Sequence, residues 1–330
     1  HPVAHSFPTR RSSDLALMSG NKLRERDNRV WELAIYSETP PFPKNMLIEV
    51  ASICNHRCRF CAYKLSTRAK RIIDPELYRN VVKQAYDLGA REIGLYAGAE
   101  PLMCPQLEEH VAYAREVGFT YIYITTNGSA CGPERIKRII DAGLDSLKFS
   151  INGGDRETYE RIHGKDHFER VMENLRFTSE YRKTLDRNMY LSISFVECEE
   201  NKDSFPALKE SVEPMVDEVY HVVAINQSGQ MPDLPAPEMP HKVCAYPFNQ
   251  MHVSVEGYLR LCCCDYQNYL AVVDLNEAPL AEAWNGEEFK SIRRRHLDKK
   301  IRGTLCFNCL YGVHRHCEPL NSELAEKEMI

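Results

Sequence analysis

The sequence predicts an α/β fold: six parallel strands alternating with helices, arranged as an open sheet or partial (βα)6 barrel, followed by a small cysteine-rich C-terminal domain. Three observations predict it. From Met46 to about Val223 short apolar runs alternate with amphipathic segments, the pattern of βα units around a parallel sheet. Four prolines fall in the twelve residues 231–242, which marks a linker. Seven of the thirteen cysteines then lie between Cys244 and Cys317, in a stretch too small and irregular to continue the barrel.

Taken in order, residues 1–15 come first. Ser6–Leu15, "SFPTRRSSDL", reads as a sequencing adapter translated in frame, so this stretch is expected to be a non-native scar. The natural chain is expected to begin near Ala16, and residues 16–44 form an N-terminal segment. The core domain spans 45–230, with strands expected at 46–51, 92–97, 121–126, 146–151, 190–196 and 218–225. Between them, Asp74 can cap a helix that opens with Pro75 and stops at Gly89. Leu77, Val81, Ala85 and Leu88 share one face of it. A second helix carries Leu107, Val111 and Ala114 and ends at Gly118; a third opens with Pro133 and ends at Gly143. A linker, 231–243, precedes the C-terminal domain, 244–330.

Composition narrows the function classes. The chain is 43% hydrophobic and 27% charged with a net charge of −5, which gives no reason to expect a nucleic-acid partner. The basic run Arg293–His296 reads as a solvated helix face. No apolar stretch approaches the ~18–20 residues that cross a bilayer, so no membrane partner is expected and the expected compartment is the cytoplasm. In that compartment clustered cysteines point to metal or redox work rather than disulfides.

Cys54, Cys58 and Cys61 form a C-x3-C-x2-C array directly after the first strand. In a parallel sheet the reactive site belongs at this C-terminal end of the strands. Soft thiolates favour zinc, copper(I) or iron–sulfur clusters, and closed sulfur sites take four ligands. His56 is the one close histidine that could complete a zinc site. Three cysteines could instead hold a cubane cluster with one iron open, and the triplet alone leaves both alternatives standing.

The triplet, with Phe60 before its third cysteine, resembles the radical S-adenosylmethionine (SAM) superfamily. That resemblance implies a TIM-like partial barrel, a [4Fe–4S] cluster on Cys54, Cys58 and Cys61, and SAM chelated to its open iron. Gly98, Ala99 and Glu100, in "GAEPL", match the segment that binds the SAM amino group, with Ala99 in place of a second glycine. "TTNG" (125–128) closes the third strand as is common in the family. Ser150 matches a serine that helps hold the methionine carboxylate. Asn152 stands where the family usually has aspartate, and Arg161 is a further candidate for the carboxylate.

Cys244, Gly257, Cys262, Cys306 and Cys309 resemble the SPASM/twitch extension of these enzymes, and 279–294 its connecting helix. This implies one auxiliary [4Fe–4S] cluster closed by Cys244, Cys262, Cys306 and Cys309, with a zinc ribbon as the alternative. Cys264 or Cys317 could replace one ligand. Cys104, Cys131 and Cys198 read as small core residues, any of which could donate hydrogen to a substrate radical if it lay near the barrel mouth.

The implied activity is reductive cleavage of SAM and hydrogen abstraction from a C–H bond, oxidising or epimerising a sugar, aminocyclitol or similar small metabolite. An electron donor such as flavodoxin or ferredoxin would supply the cluster. The alternatives are a maturase acting on a ribosomal peptide or protein side chain, and a non-catalytic iron–sulfur or zinc protein.

Overall fold

The computed structural model describes residues 28–237 and 243–327. The adapter-like stretch, the first part of the N-terminal segment and 238–242 of the expected linker lie outside the described residues.

Among the described residues nine strands form one sheet: β1 Asn45–Ile48, β2 Glu92–Gly94, β3 Tyr121–Thr126, β4 Ser146–Ser150, β5 Tyr190–Glu197, β6 Glu218–Val223, β7 Met251–Val253, β8 Tyr258–Arg260 and β9 Ala271–Asp274. Their order is β6-β5-β4-β3-β2-β1-β7-β8-β9. All pairings from β6 to β1 are parallel, and β8 and β9 turn antiparallel. The sheet is therefore open at β6 and β9, a partial barrel.

The six core strands form where the apolar runs place them, several ending one to three residues early. The C-terminal region corrects an expectation: it does continue the sheet. β7 pairs in parallel with β1, Met46 opposite Met251 and Ile48 opposite Val253. All four residues of β1 are buried, because a parallel strand covered on both sides reads as a continuous apolar run. The boundary at residue 244 is thus no break in the hydrogen-bonded sheet.

Helix α1, Pro75–Asp87, starts where Asp74 accepts from the backbone of Glu76 and Leu77 at 3.0 and 2.9 Å. That cap satisfies donors the first turn leaves free. Its buried face carries Leu77, Tyr78, Val81, Val82 and Ala85. Helices α2 Leu107–Val117 and α3 Pro133–Asp141 follow the expected limits closely. Helix α4, Arg156–His163, is capped by Asp155 and closed by Gly164 at φ +71°, a left-handed position that favours glycine. Helix α5, Phe168–Arg182, packs beside it.

The basic run 293–296 is not a solvated face throughout. Arg293 is fully buried in α6, Glu287–Leu297, with its guanidinium 4.2 Å from the Trp284 ring centre and 4.5 Å from that of Phe289. It donates to the carbonyls of Pro247, Glu38 and Trp284. Burial brings its pKa down to about 9. His296 is also buried, whereas Arg294 stays at the surface and pairs with Glu38 at 2.7 Å.

Candidate metal centre and SAM pocket

The loop that carries the cysteine triplet is pinned to the end of α4. The Arg57 N–H donates to His163 O at 3.1 Å and the Arg59 N–H to Ile162 O at 2.9 Å. These bonds satisfy carbonyls that a helix C-terminus leaves unpaired, and they bracket Cys58. The Cys61 N–H closes a turn onto Cys58 O at 3.1 Å. Tyr63 supports the other side: its hydroxyl accepts from the Cys54 N–H at 2.8 Å and donates to Ser52 O at 3.2 Å.

Cys54, Cys58 and Cys61 are free thiols that line one cavity of about 210 Å³. Gly98, Ala99, Glu100, Ser150, Asn152 and Phe60 line it too. Burial, then mutual repulsion of the developing thiolates, raises the Cys58 thiol; burial and Glu100 push Cys54 up to about 12. Three thiols that disfavour one another's charge in a buried pocket are the donor set a cationic iron cluster neutralises. His56, Cys58 and His163 also place donor atoms within 4.8 Å of one another, a set that would leave Cys54 and Cys61 unused. The His56 Nε2 already lies 3.0 Å from His167 Nδ1 and 3.1 Å from Ser129 Oγ. The residues therefore fit a three-cysteine cubane better than a zinc site.

Glu100 is a brace between strand ends. Its carboxylate accepts from Thr126 Oγ1 at 2.5 Å, the Asn127 N–H at 2.7 Å and the Leu102 N–H at 3.0 Å. Burial nevertheless raises it to about 7. Gly98 stands at a close approach: a Cβ there would sit 3.2 Å from Tyr266 Cδ1 and 3.4 Å from Glu49 Oε1. Ser150 Oγ lies 3.2 Å from Ser194 Oγ. Asn152 is held by its Oδ1, which accepts from the Val196 N–H at 2.6 Å.

Arg161 is placed elsewhere. Its guanidinium turns to Thr158 Oγ1 and Glu200 O, and to Glu157 at 3.6 Å, so it does not line the cavity. Asp155 and the helix end fix α4 so that His163, two residues later, is the residue that faces the cluster loop.

In the C-terminal region the Sγ atoms of Cys262, Cys263 and Cys264 lie within 4.8 Å of one another. Cys244 and Cys306 share a neighbourhood with Cys309, and Cys263 and Cys264 raise or are raised by the same thiols. Cys317 interacts instead with Asp265 and Glu318. Four converging thiols fit a closed cluster, and the Cys262–Cys264 run offers three candidates for one ligand position.

Sequence reasoning missed four contributors. Tyr266 enters the first cavity from the C-terminal region, where its hydroxyl oxygen accepts from the Cys61 thiol at 3.8 Å. His163 approaches Cys58 Sγ at 3.5 Å. Arg68 joins Glu49 at 2.7 Å and Glu256 at 2.8 Å in a fully buried ion pair network. Lys64 sits where the first cavity meets a second. Tyr266, His163 and Arg68 carry no local spacing signal, since each meets its partner across loops or domains.

The second cavity holds about 490 Å³ and shares Phe60 and Lys64 with the first. Charged Arg59, Lys202, Glu197 and Asp233 border it, and Cys198 lines it.

Comparison with known proteins decides the family. The profile of the radical SAM superfamily matches residues 48–193, and that of SPASM, an iron–sulfur cluster-binding domain, matches 244–310. The chain belongs to the radical SAM superfamily. The two matched domains of this radical SAM protein imply a SAM-binding [4Fe–4S] cluster, SAM itself and an auxiliary cluster. A probable GTP 3′,8-cyclase of Methanothermobacter marburgensis is 35% identical over 127 residues, 38% of this chain and 41% of that protein. The GTP 3′,8-cyclase of Chlorobaculum tepidum is 31% identical over 129 residues, 39% of this chain and 38% of that protein. An uncharacterised protein of Methanocaldococcus jannaschii is 29% identical over 145 residues, 44% of this chain and 46% of that protein. The chain thus matches less than half the length of each of these relatives.

Among solved structures, the fold resembles BtrN in complex with AdoMet and 2-DOIA, with a TM-score of 0.56 and 18% identity over 84% of this chain and 98% of that one. It also resembles Streptococcus suis SuiB bound to the precursor peptide SuiA, at 0.63 and 14% over 89% and 74%. At these identities the likeness is one of fold. Among the described residues no helix is long and apolar enough to cross a membrane.

Proposed function

We propose that this radical SAM protein abstracts hydrogen from a C–H bond of a small polar metabolite, with Cys54, Cys58 and Cys61 holding the SAM-binding cluster. The observation that carries the reading is the pair of adjoining cavities, one lined by the cysteine triplet and the other large enough for a small ligand, sharing Phe60 and Lys64. A volume of about 490 Å³ falls in the range of small-molecule sites, roughly 300–1,000 Å³. Its mixed charged border suits a hydroxylated or amino-bearing substrate better than an apolar one.

Cys54, Cys58 and Cys61 would hold the cluster, which when bound would supply the electron for reductive cleavage of SAM. The chain's own residues do the rest. Gly98, with no side chain, and Ala99, with only a methyl group, line the first cavity and would leave room for the methionine portion. Glu100 holds the β2 and β3 loop ends together and leaves one lone pair of its carboxylate for an ammonium. Ser150 offers a hydroxyl to the carboxylate, and Asn152 buttresses the same wall. Phe60 lines both cavities at their junction and is placed to exclude water there.

Oxidation through an auxiliary cluster on Cys244, Cys306, Cys309 and one of Cys262–Cys264 is the first reading of the outcome. Epimerisation is the second, because the Cys198 thiol lines the substrate cavity and could return a hydrogen atom. The test is anaerobic reconstitution followed by SAM cleavage with deuterated candidate sugars, aminocyclitols and short peptides, reading which deuterium reaches 5′-deoxyadenosine. Solvent deuterium in the product supports epimerisation; transfer only from peptides supports a maturase; no SAM cleavage with reductant refutes the enzyme reading.

A further inference from the structure

His163 stands outside every expectation of the cysteine motif, yet its ring touches the cluster loop at Cys58. It is buried at the last position of α4 and stacks on Tyr159 with ring centres 4.0 Å apart and planes 18° from parallel. On one edge, Nε2 lies 3.2 Å from the backbone N of Asn152 and 3.2 Å from its Nδ2. On the other, Nδ1 lies 3.5 Å from Cys58 Sγ.

These contacts determine where the ring proton is. A backbone N–H can only donate, so Nε2 must present its lone pair to Asn152. The Asn152 amide is oriented to agree, since its Oδ1 is committed to the Val196 N–H and its NH2 is left to face the ring. A neutral imidazole that accepts at Nε2 carries its proton at Nδ1. Because Nε2 accepts from a backbone N–H, it bears no proton and the ring is neutral. Its N–H therefore points at the Cys58 sulfur.

The choice of an amide rather than a carboxylate at 152 belongs to the same device. A carboxylate at this position would bring an acceptor to Nε2 and draw the proton to that side, away from the sulfur. Asparagine supplies a donor where the ring needs one.

We propose that Asn152 locks His163 in its Nδ1–H form, and that His163 donates to the Cys58 thiolate and thereby raises the reduction potential of the SAM-binding cluster. This rests on the assignment of Cys58 as a cluster ligand. A hydrogen bond to a ligating sulfur stabilises the reduced, more negative cluster over the oxidised one, and such bonds are among the terms that set iron–sulfur potentials. His163 is a positioning residue here, acting through Cys58. The effect makes the first electron easier to deliver, which is the step on which SAM cleavage depends.

The experiment uses the anaerobically reconstituted full chain with natural-abundance and 15N-histidine labelling. In the wild type, the reduced cluster whose EPR signal changes on adding SAM identifies the site; if no signal responds to SAM, the ligand assignment itself has failed. With that signal in hand, electron–nuclear double resonance should show an exchangeable proton and a histidine nitrogen coupled to it. Absence of both overturns the proposal without any variant. His163→Phe keeps the stack on Tyr159 and removes the donor. It should retain its iron and its SAM-responsive signal, lose the histidine-nitrogen coupling, and shift the midpoint of that signal to a more negative potential. An unchanged midpoint overturns the proposal.

Discussion

Arg68→Met tests how the two halves of the site are held together. Arg68 lies in the loop beyond the cysteine triplet and is 5% exposed, against 1% for Glu49 and 2% for Glu256. Its Nε and Nη2 make four hydrogen bonds to those carboxylates, between 2.7 and 3.1 Å. Burial alone would raise Glu49, but Arg68 and Arg260 outweigh it and hold its carboxyl below the usual range. Methionine fills similar volume without charge, and Arg260 at 3.6 Å from Glu49 cannot serve both acids. Removing one partner of a buried pair costs about 3–5 kcal/mol, or at least a hundredfold in the folded-to-unfolded ratio. The assay is urea unfolding of the reconstituted protein followed by both circular dichroism and cluster absorbance. Arg68→Met should lower stability by that amount, and Arg68→Met with Glu256→Gln should recover part of it by removing one orphaned charge. A loss under about 1 kcal/mol, the range of exposed ion pairs, would refute the reasoning.

Glu100→Gln turns an NH2 group toward donors that now bond a carboxylate, so SAM should bind roughly tenfold or more weakly, measured by equilibrium dialysis. Cys317→Ser should leave the iron content unchanged, whereas Cys309→Ser should remove about four irons per chain, read by metal analysis. His110 and His296 are buried neutral, each brought down to about 4 chiefly by burial, below an unfolded value near 6.5. The unfolded chain therefore binds the extra protons, so stability is full above about pH 6.5 and falls as pH drops toward 4. The loss is up to about 3 kcal/mol per histidine. The double variant His110→Gln/His296→Gln should show a flatter slope over that window in pH-dependent urea unfolding.

Much of the architecture was legible because it is locally encoded. Asp74, Pro75 and Gly89 mark α1 by their own backbone and capping chemistry, and β3 spans the residues its apolar run occupies. The cysteine triplet was legible because its three members sit within eight residues of one another. What was hidden depends on distance. β7 has three residues, too few for a periodic signal, and its partner is some two hundred positions earlier. His163 and Tyr266 reach cysteines 105 and 205 residues away. Arg293 looked solvated because charge usually is, and it is buried because two aromatic rings and three carbonyls take the place of water. Arg161 was read from its place in a motif, whereas its direction is set by the turn of α4.

The most direct test of the account is iron counting joined to the SAM response. The account predicts about eight irons per reconstituted chain, two cubanes, with one of two reduced EPR signals shifting on addition of SAM. Replacing Cys54, Cys58 and Cys61 together by alanine should leave about four irons and a signal that ignores SAM. About twelve irons, bound zinc in place of iron, or a SAM response that survives loss of the three cysteines would contradict it.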